Sequence, residues 1–500
     1  MPGDSYDAIV IGGGPAGSTA ATLIALDGNR VLLLEKERFP RYQIGESLLP
    51  ATVHGICPML GVDGALREAG FTVKRGGSFR WGKNPDLWTF AFTTSDRMSE
   101  PTGFSYQVER SRFDDIMLRN AERAGVEVRE EHPVVRVLRD GSRVTGVGFT
   151  DPQGKSGEAS AQFVLDASGH TGRLHNEVGG ERKYSPFFKH VALFGYFKGG
   201  KRIPEPNSGN VLSVAFDSGW FWYIPLSPTL TSVGAVVRSE LAGRIQGDPE
   251  EAYRALIAES PLISEYLEGA ERATEPPYDR LRVRKDFSYT QTAMHAPGMA
   301  LIGDAACFVD PVLSTGVHLA TYAGMLAARS VNSVLAGLVA EEPAFQEFER
   351  RYRREFTSLH DFLVSFYGTN LDEKSYFWQA QRITGQQGGA AEAFVDLVGG
   401  VASGELLPED PLTAAARTEK AREALVGVTT TTNELGDAQG LFEVPLAATA
   451  LAESQTLVAR GQQHRGQLTE GALLAGGLRA SEDGRRWLPV ESEEQPQEDT

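Results

Sequence analysis

Gly12, Gly14 and Gly17, set in Gly12-Gly13-Gly14-Pro15-Ala16-Gly17, make a G-x-G-x-x-G turn. With no side chains there, backbone amides can close on a pyrophosphate at a helix N-terminus. Glu35 ends the next apolar run, where a carboxylate can accept both hydroxyls of an adenosine ribose. Such a turn alone is weak evidence, since glycine turns also serve packing. In its strand–turn–helix–strand–Glu setting it predicts nucleotide binding. A second anion site is predicted at Asp310-Pro311-Val312-Leu313-Ser314-Thr315-Gly316, which precedes a long helical pattern. The first amides of that helix have no intrahelical acceptor and lie at the positive end of its dipole. The competing reading is a plain helix cap by Ser314. Trp220 and Trp222, in Trp220-Phe221-Trp222-Tyr223-Ile224-Pro225, are two apart, so in a strand both rings face one side. Aromatics at period two are also ordinary core.

These groups must be positioned by recognisable elements. Residues 6–11 are a short apolar run, 18–26 are helix-like, and 31–34 form a second strand, together a βαβ unit. Residues 80–93 and 191–237 alternate or cluster aromatic and β-branched residues, as strands of an antiparallel sheet do. Helical spacing recurs over 249–271 and 315–340. A charged amphipathic helix is predicted from 341 to about 366, with a mainly helical region after it. Residues 385–411 are Gly-rich and read as partly looped. Residues 481–500 are polar and acidic and are expected to be disordered. No internal repeat is seen.

A chain of 500 residues exceeds what one core usually serves, so two or three domains are expected. The apolar share of 41% and charged share of 23% are those of a soluble globular protein. Cys57 and Cys307, far apart in sequence, argue against a disulfide scaffold or a cysteine metal site and suit a reducing cytoplasm. The N-terminus carries no signal-like stretch, and no long uncharged apolar run predicts a membrane span. A net charge of −17 disfavours nucleic acid as a partner.

The Trp220–Pro225 hexapeptide matches a W-x-W-x-I-P signature, and in a chain opening with a dinucleotide loop it resembles the flavin-dependent halogenases, relatives of the flavin monooxygenases. The resemblance runs from residue 6 to about 381. Leu301-Ile302-Gly303-Asp304-Ala305-Ala306 is similar to the motif whose aspartate meets the flavin's ribityl and pyrophosphate region. Val108-Glu109-Arg110-Ser111-Arg112-Phe113-Asp114 is similar to the segment that places an arginine beside the cofactor; Arg110 fits better than Arg112, with an ion pair at the surface as the bland reading. Gln43-Ile44-Gly45-Glu46-Ser47-Leu48-Leu49-Pro50 and Phe366-Tyr367 also belong to the pattern. The implied cofactor residues are Gly12, Gly14, Pro15, Ala16, Gly17, Glu35, Lys36, Glu46, Ser47, Arg110, Asp304 and Gly316. The implied fold is α/β, a doubly wound, Rossmann-like core of glutathione-reductase type with an inserted antiparallel substrate sheet and a helical C-terminal region. Expected boundaries are 1–75, 105–180 and 285–340 for the FAD-binding domain, 76–104 and 181–284 for the substrate sheet, 341–480 for the helical region and 481–500 for the tail.

The resemblance implies chlorination of an aromatic ring with FAD used as FADH2, O2 and chloride or bromide, by way of a flavin C4a-hydroperoxide and hypochlorous acid. It implies that the amides of Thr315 and Gly316 hold the halide. Lys74-Arg75-Gly76-Gly77-Ser78-Phe79-Arg80-Trp81-Gly82 carries the family's lysine pattern, making Lys74 the group that directs the oxidised halide. A desolvated neutral amine would form a chloramine, and an ammonium would polarise the acid; sequence leaves both open. Without the motif Lys74 would read as an exposed loop lysine. Trp220 and Trp222 would wall the flavin compartment from the substrate. Asp166-Ala167-Ser168-Gly169-His170 departs from the hydroxylase motif for NAD(P)H coupling, which implies a separate flavin reductase as partner.

Tryptophan halogenases place a glutamate immediately before Ser-Thr-Gly, and this chain has Leu313 there. That departure points to the branch acting on phenols and pyrroles, which includes halogenases of the chondrochloren and enediyne pathways. The implied substrate is a tyrosyl or β-tyrosyl phenol on a peptidyl or acyl carrier protein, in natural-product biosynthesis. Phe79, Tyr376, Phe377 and Trp378 are candidate pocket residues, with packing between helices an equal reading. Arg350, Arg351, Arg353 and Arg354 are the densest basic cluster for an acidic carrier. Glu347–Arg351 and Glu349–Arg353 at i,i+4 instead favour a solvated, locally paired helix face. The competing functions are an aromatic hydroxylase, a lipid-saturating flavoprotein reductase and a non-catalytic flavin-binding partner.

Overall fold

Ser5–Ile11, Val31–Leu34 and the second half of Ser156–Asp166 are apolar with little alternation, and their residues are buried on both faces. That is the signature of a parallel sheet covered by helices on either side. The computed structural model describes residues 5–81, 87–286, 288–368, 390–407 and 477–490. In it Met299–Leu301, Ser156–Asp166, Ser5–Ile11, Val31–Leu34 and Glu127–Arg129 lie side by side, all parallel. The hairpin Val134–Asp140 and Arg143–Thr150 adds antiparallel strands beside the first half of Ser156–Asp166. Helix Pro15–Leu26 packs against Gly316–Leu335 and Arg110–Arg123. The turn between Ser5–Ile11 and that helix needs glycine. Gly12 has φ +99°, and a Cβ there would sit 2.5 Å from the Ala167 carbonyl oxygen. A Cβ on Gly17 would lie 1.9 Å from the Gly12 carbonyl oxygen.

The second sheet runs Glu271–Arg272, His190–Lys198, Leu230–Arg238, Gly219–Pro225, Val211–Phe216, Gly76–Arg80, Trp88–Ala91, and Arg282–Asp286 also pairs with His190–Lys198. It is antiparallel except at one junction, where Val211–Phe216 lies parallel to Gly76–Arg80, a pairing that a long connection permits and a tight hairpin could not make. Both faces are covered. Ala192, Phe194, Tyr196, Trp220, Trp222 and Val236 pack with the nucleotide-domain core. Val191, Leu193, Phe221, Tyr223, Val233 and Ala235 pack under helices Pro249–Ala258 and Pro261–Tyr266.

Helix Glu341–Gly368 lies along Gly316–Leu335, and Ala390–Gly399 forms a helix inside the segment read as partly looped. The disorder expected from residue 481 is corrected: Leu478–Ala480 and Trp487–Pro489 form a hairpin, and residues 481–490 are ordered. Trp487 is fully buried, donates from Nε1 to the Ser330 hydroxyl at 3.0 Å, and lies under the Arg329 and Arg351 guanidinium groups. One aromatic anchor in a polar stretch outweighs the composition around it. Residues 491–500 lie outside the described residues. Among the described residues no helix is long and apolar enough to cross a membrane.

Candidate active site

The glycine turn meets its acid as spacing predicts. Glu35 is buried at the end of Val31–Leu34 and accepts from the Gly13 amide at 2.6 Å and from Glu37 N–H at 2.8 Å. Lys36 beside it is exposed. On the outer side of the turn a Cβ on Gly14 would meet nothing nearer than an Arg41 nitrogen at 3.6 Å. The turn is therefore closed against the sheet at Gly12 and Gly17 and open at Gly14.

Arg110 begins helix Arg110–Arg123 and is buried, not at the surface. It pairs with Asp114 at 2.8 and 2.9 Å and donates to the Ile44 and Gly45 carbonyls at 2.6 and 3.2 Å. It thus ties the Gln43–Pro50 segment to the helix, and its charge opposes the rise to about 6 that burial imposes on the Asp304 carboxyl. Arg112 is an exposed group bonded to the Ala69 carbonyl. In the same segment Glu46 is buried and its carboxyl is pushed by burial up to about 7. It accepts from the Tyr196 hydroxyl at 2.8 Å, and Tyr42 and Tyr196 share a hydrogen bond of 2.7 Å.

Lys74 ends strand Thr72–Lys74, which pairs with Ser105–Gln107. Its side chain is 2% exposed. Nζ donates to the Leu48 carbonyl at 3.0 Å and lies 5.5 Å from the Phe92 ring centre. No carboxylate pairs with it among the described residues, and burial lowers its ammonium from 10.5 to about 7. The loop lysine of the bland reading is not what the fold makes. Leu313, where a glutamate partner would stand in tryptophan halogenases, is buried in the apolar core.

The loop before Gly316–Leu335 is not capped by Ser314. Ser314 takes a left-handed φ of +63°, and Thr315 occupies the cap position without a capping side-chain bond. The Thr315 hydroxyl is buried with no hydrogen-bond partner among the described residues, and a Cβ on Gly316 would meet nothing within 4 Å. Open space therefore lies beside amides that the helix leaves without acceptors. Asp310 anchors the loop, accepting at Oδ1 from the Val312 amide at 3.1 Å and from the Tyr367 hydroxyl at 2.9 Å.

Strand register puts Trp220 opposite Val236 and Trp222 opposite Gly234, and both rings face the nucleotide-domain core. Their centroids are 6.2 Å apart; the Trp222 indole N–H donates to Ser232 at 3.1 Å, and the Trp220 N–H has no partner among the described residues. Phe79 stacks on Trp88 at 4.8 Å and meets Phe366 at 5.7 Å. Trp81 bridges Trp220, Phe366 and Tyr367 at 6.1, 4.9 and 5.4 Å. Tyr376, Phe377 and Trp378 lie outside the described residues. Sequence reasoning missed His190, which stacks on Tyr367 at 5.5 Å and places Nδ1 3.1 Å from Asp310 Oδ2. Its only sequence signal is a polar residue at the head of an otherwise apolar strand.

The arginine cluster forms the expected local pairs, Arg351 to Glu347 at 2.5 Å and Arg353 to Glu349 at 2.6 Å. It is not a solvated face: Glu347 is 1% exposed, and Arg351 also reaches Glu405 and the Leu478 carbonyl. Arg351 thereby ties Glu405 and the hairpin strand Leu478–Ala480 to the helix.

A dinucleotide flavin fits these residues. The turn opens at Gly14, Glu35 waits beside it, and the buried hydroxyls of Ser47 and Thr315, without a partner among the described residues, stand along the Glu46–Ser47 and Thr315–Gly316 segments.

A protein-family model described as tryptophan halogenase matches residues 7–100 and 93–413. The tryptophan 2-halogenase of Chondromyces crocatus is 37% identical over 406 residues, covering 79% of this chain and 75% of that protein. The structure of the myxobacterial chondrochloren halogenase CndH superimposes with a TM-score of 0.74 at 48% identity, covering 97% of this chain and all of that one. The flavin-dependent brominase Bmp2 gives a TM-score of 0.70 at 28% identity over 84% of this chain and 100% of its own.

Proposed function

Since this chain belongs to the tryptophan halogenase family and is a flavin-dependent halogenase, we propose that it chlorinates a phenolic, carrier-tethered tyrosyl or β-tyrosyl ring. The observation that carries the reading is Lys74: buried and, among the described residues, bonded only to a carbonyl, with no carboxylate to hold it charged. A lysine lowered to about 7 populates the neutral amine alongside the ammonium near pH 7, and a neutral amine is the form that can take chlorine.

Gly12, Gly14, Gly17, Glu35, Arg110 and Asp304 would hold FAD, with Glu46 and Ser47 beside it. Bound as FADH2 delivered by a separate flavin reductase, it supplies, with O2, the two-electron oxidation that turns chloride into hypochlorous acid. The amides of Thr315 and Gly316 hold the chloride, and Trp220 and Trp222 keep the organic ring out of that compartment. At Lys74 the Nζ lone pair bonds to chlorine as the O–Cl bond breaks, and the departing hydroxide takes an amine proton as water. The ring's ortho carbon then bonds to chlorine, the N–Cl electron pair returns to Nζ, and the ring proton passes by way of water to Nζ, which restores the amine.

Free tryptophan is the second reading, favoured by the relative named tryptophan 2-halogenase. Leu313, apolar and buried where a carboxylate would be needed, weighs against it. The deciding experiment runs FAD, a flavin reductase, NADH, O2 and chloride with free tyrosine, β-tyrosine, their carrier-bound forms and tryptophan. Mass spectrometry should find the chlorine isotope pattern on a phenolic product, lost with Lys74→Ala. Chlorinated tryptophan alone would select the second reading, and a gain of one oxygen would make the chain a hydroxylase.

A further inference from the structure

We infer that His190, held by Asp310, is the base that takes the hydroxyl proton of the phenolic substrate; this rests on the phenolic reading above. His190 opens strand His190–Lys198, and cross-strand register pairs it through Ala192–Val236 onto the face that carries Trp220. It therefore points to the core-facing side of the sheet, with Trp222, Phe194 and Phe79, and away from the helices that cover the other side. The imidazole is 7% exposed and flanked by Phe188 and Tyr367, edge-on and stacked.

The hydrogen bonds fix its tautomer. Asp310 is fully buried and its Oδ2 lies 3.1 Å from Nδ1, so Nδ1 carries the proton of that bond and, in the neutral ring, Nε2 carries the lone pair. No described residue hydrogen-bonds Nε2. Asp310 also receives the Tyr367 hydroxyl and the Val312 amide. One carboxylate thus ties the imidazole to the loop that ends in Thr315 and Gly316, and to the aromatic group formed by Trp81, Phe366 and Tyr367.

A second buried pair, His318 and Glu355 at 3.1 Å, is closed off. A Cβ on Gly400 would lie 3.0 Å from the His318 ring, so that face is already filled by backbone.

The chemistry needs such a base. A phenolate is a far better nucleophile than a phenol, because the oxygen lone pair feeds the ortho carbon. As that carbon bonds to chlorine and the N–Cl pair returns to Nζ, which takes a proton from water to regain the amine, the hydroxyl proton moves to Nε2 and Asp310 steadies the imidazolium. The ring proton then leaves to the hydroxide so formed to restore aromaticity, and the imidazolium returns its proton to the phenolate oxygen. No oxidant beyond the oxidised halide of the family reaction is required.

The test uses the full chain with FAD, flavin reductase, NADH, O2 and chloride. Substrates are tyrosine and ring-fluorinated tyrosines of rising phenol acidity, free and carrier-bound. His190→Gln should slow chlorination of the tyrosyl ring by about 100-fold, the usual weight of a general base. The loss should shrink toward unity as the phenol grows acidic enough to ionise unaided, and oxidised halide should appear in a trapping reagent. Imidazole added to His190→Gly should restore part of the rate, which guards against a variant that merely folds poorly. An equal loss across the whole acidity series, or no loss at all, would overturn the assignment while leaving phenol chlorination in place. Wild type that chlorinates tryptophan and no phenol would overturn this inference and the reading beneath it together.

Discussion

Lys74→Met should make the protein inactive and more stable at once, and the size of the gain follows from the lysine's surroundings. Burial against Phe92 with only the Leu48 carbonyl as partner lowers the ammonium from 10.5 to about 7. At about 1.4 kcal/mol per pH unit, holding Lys74 buried costs about 5 kcal/mol wherever the unfolded chain keeps it protonated and the folded state strains to. The sign is set by proton counts. Between pH 7 and 10.5 the unfolded chain binds the proton and the folded one does not, so wild-type stability rises with pH across that window. Methionine has similar length and no charge, and loses the bond to Leu48, about 1 kcal/mol at every pH. The variant should exceed wild type by about 4 kcal/mol near pH 6, with the lead shrinking from pH 7 upward and reversing to about 1 kcal/mol in favour of wild type by pH 10.5. Urea unfolding followed by tryptophan fluorescence at pH 6, 7, 8, 9 and 10 measures it, and every other titrating group cancels in the comparison. A difference that stays flat over this range would show that Lys74 is not neutral when folded, and the chloramine route would lose its support.

Other outcomes are as specific. Gly17→Ala forces a Cβ into the Gly12 carbonyl and should weaken FAD binding by at least about tenfold, read by flavin fluorescence titration; unchanged affinity would dismiss the turn as the cofactor site. Gly316→Ala meets no protein atom, so its stability should stay within about 0.5 kcal/mol of wild type while the KM for chloride rises about tenfold; an unchanged KM would move the halide elsewhere. Glu46→Gln removes a buried carboxyl raised from 4.5 to about 7, so wild type loses stability as pH rises from 4.5 to 7. The variant should lead by up to about 3 kcal/mol at pH 8 and by nothing below 4.5, checked by denaturation at the two extremes. Trp487→Ala empties a fully buried site and should cost about 3–5 kcal/mol, and a melting temperature like wild type's would return residues 481–490 to the disorder their composition suggests.

The turn at Gly12–Gly17, Glu35 and the tryptophan alternation were legible because each is a local rule. A glycine spacing, the end of a strand and a period of two need only a few neighbouring residues. Lys74 needed the family motif, since nothing within ten residues of it announces that Leu48 and Phe92 will close over its amine. His190 was invisible because its partner is 120 residues away and its ring looks from sequence like any polar residue at a strand start. The Arg350–Arg354 cluster was half legible. Its i,i+4 pairs are local and formed, but its burial comes from Glu405 and Leu478, whose approach no helical wheel contains. Trp487 was lost to an average taken over twenty residues, when one indole held by Ser330 and two arginines decides the segment.

Register explains why the Trp220–Pro225 hexapeptide can serve as more than core. All of Trp220, Phe221, Trp222, Tyr223 and Ile224 are buried, so burial alone cannot distinguish them. What separates them is the face: Trp220, Trp222 and Ile224 go to the nucleotide-domain side, and Phe221 and Tyr223 to the side under Tyr253 and Leu256. A slip of one residue would exchange the two sets and turn the indoles away from Trp81. Two features hold the register. Tyr223 donates to the Lys201 carbonyl at 2.9 Å, fixing the outer face. On the inner face Gly234 lies opposite Trp222, where a Cβ would come 2.1 Å from the indole. Any side chain larger than glycine at 234 would push Trp222 from its place without unsettling Tyr223. Gly234→Ala therefore isolates the inner wall: if that wall keeps oxidised halide and substrate apart, the variant should leak halide to a trap while the strand itself stays paired.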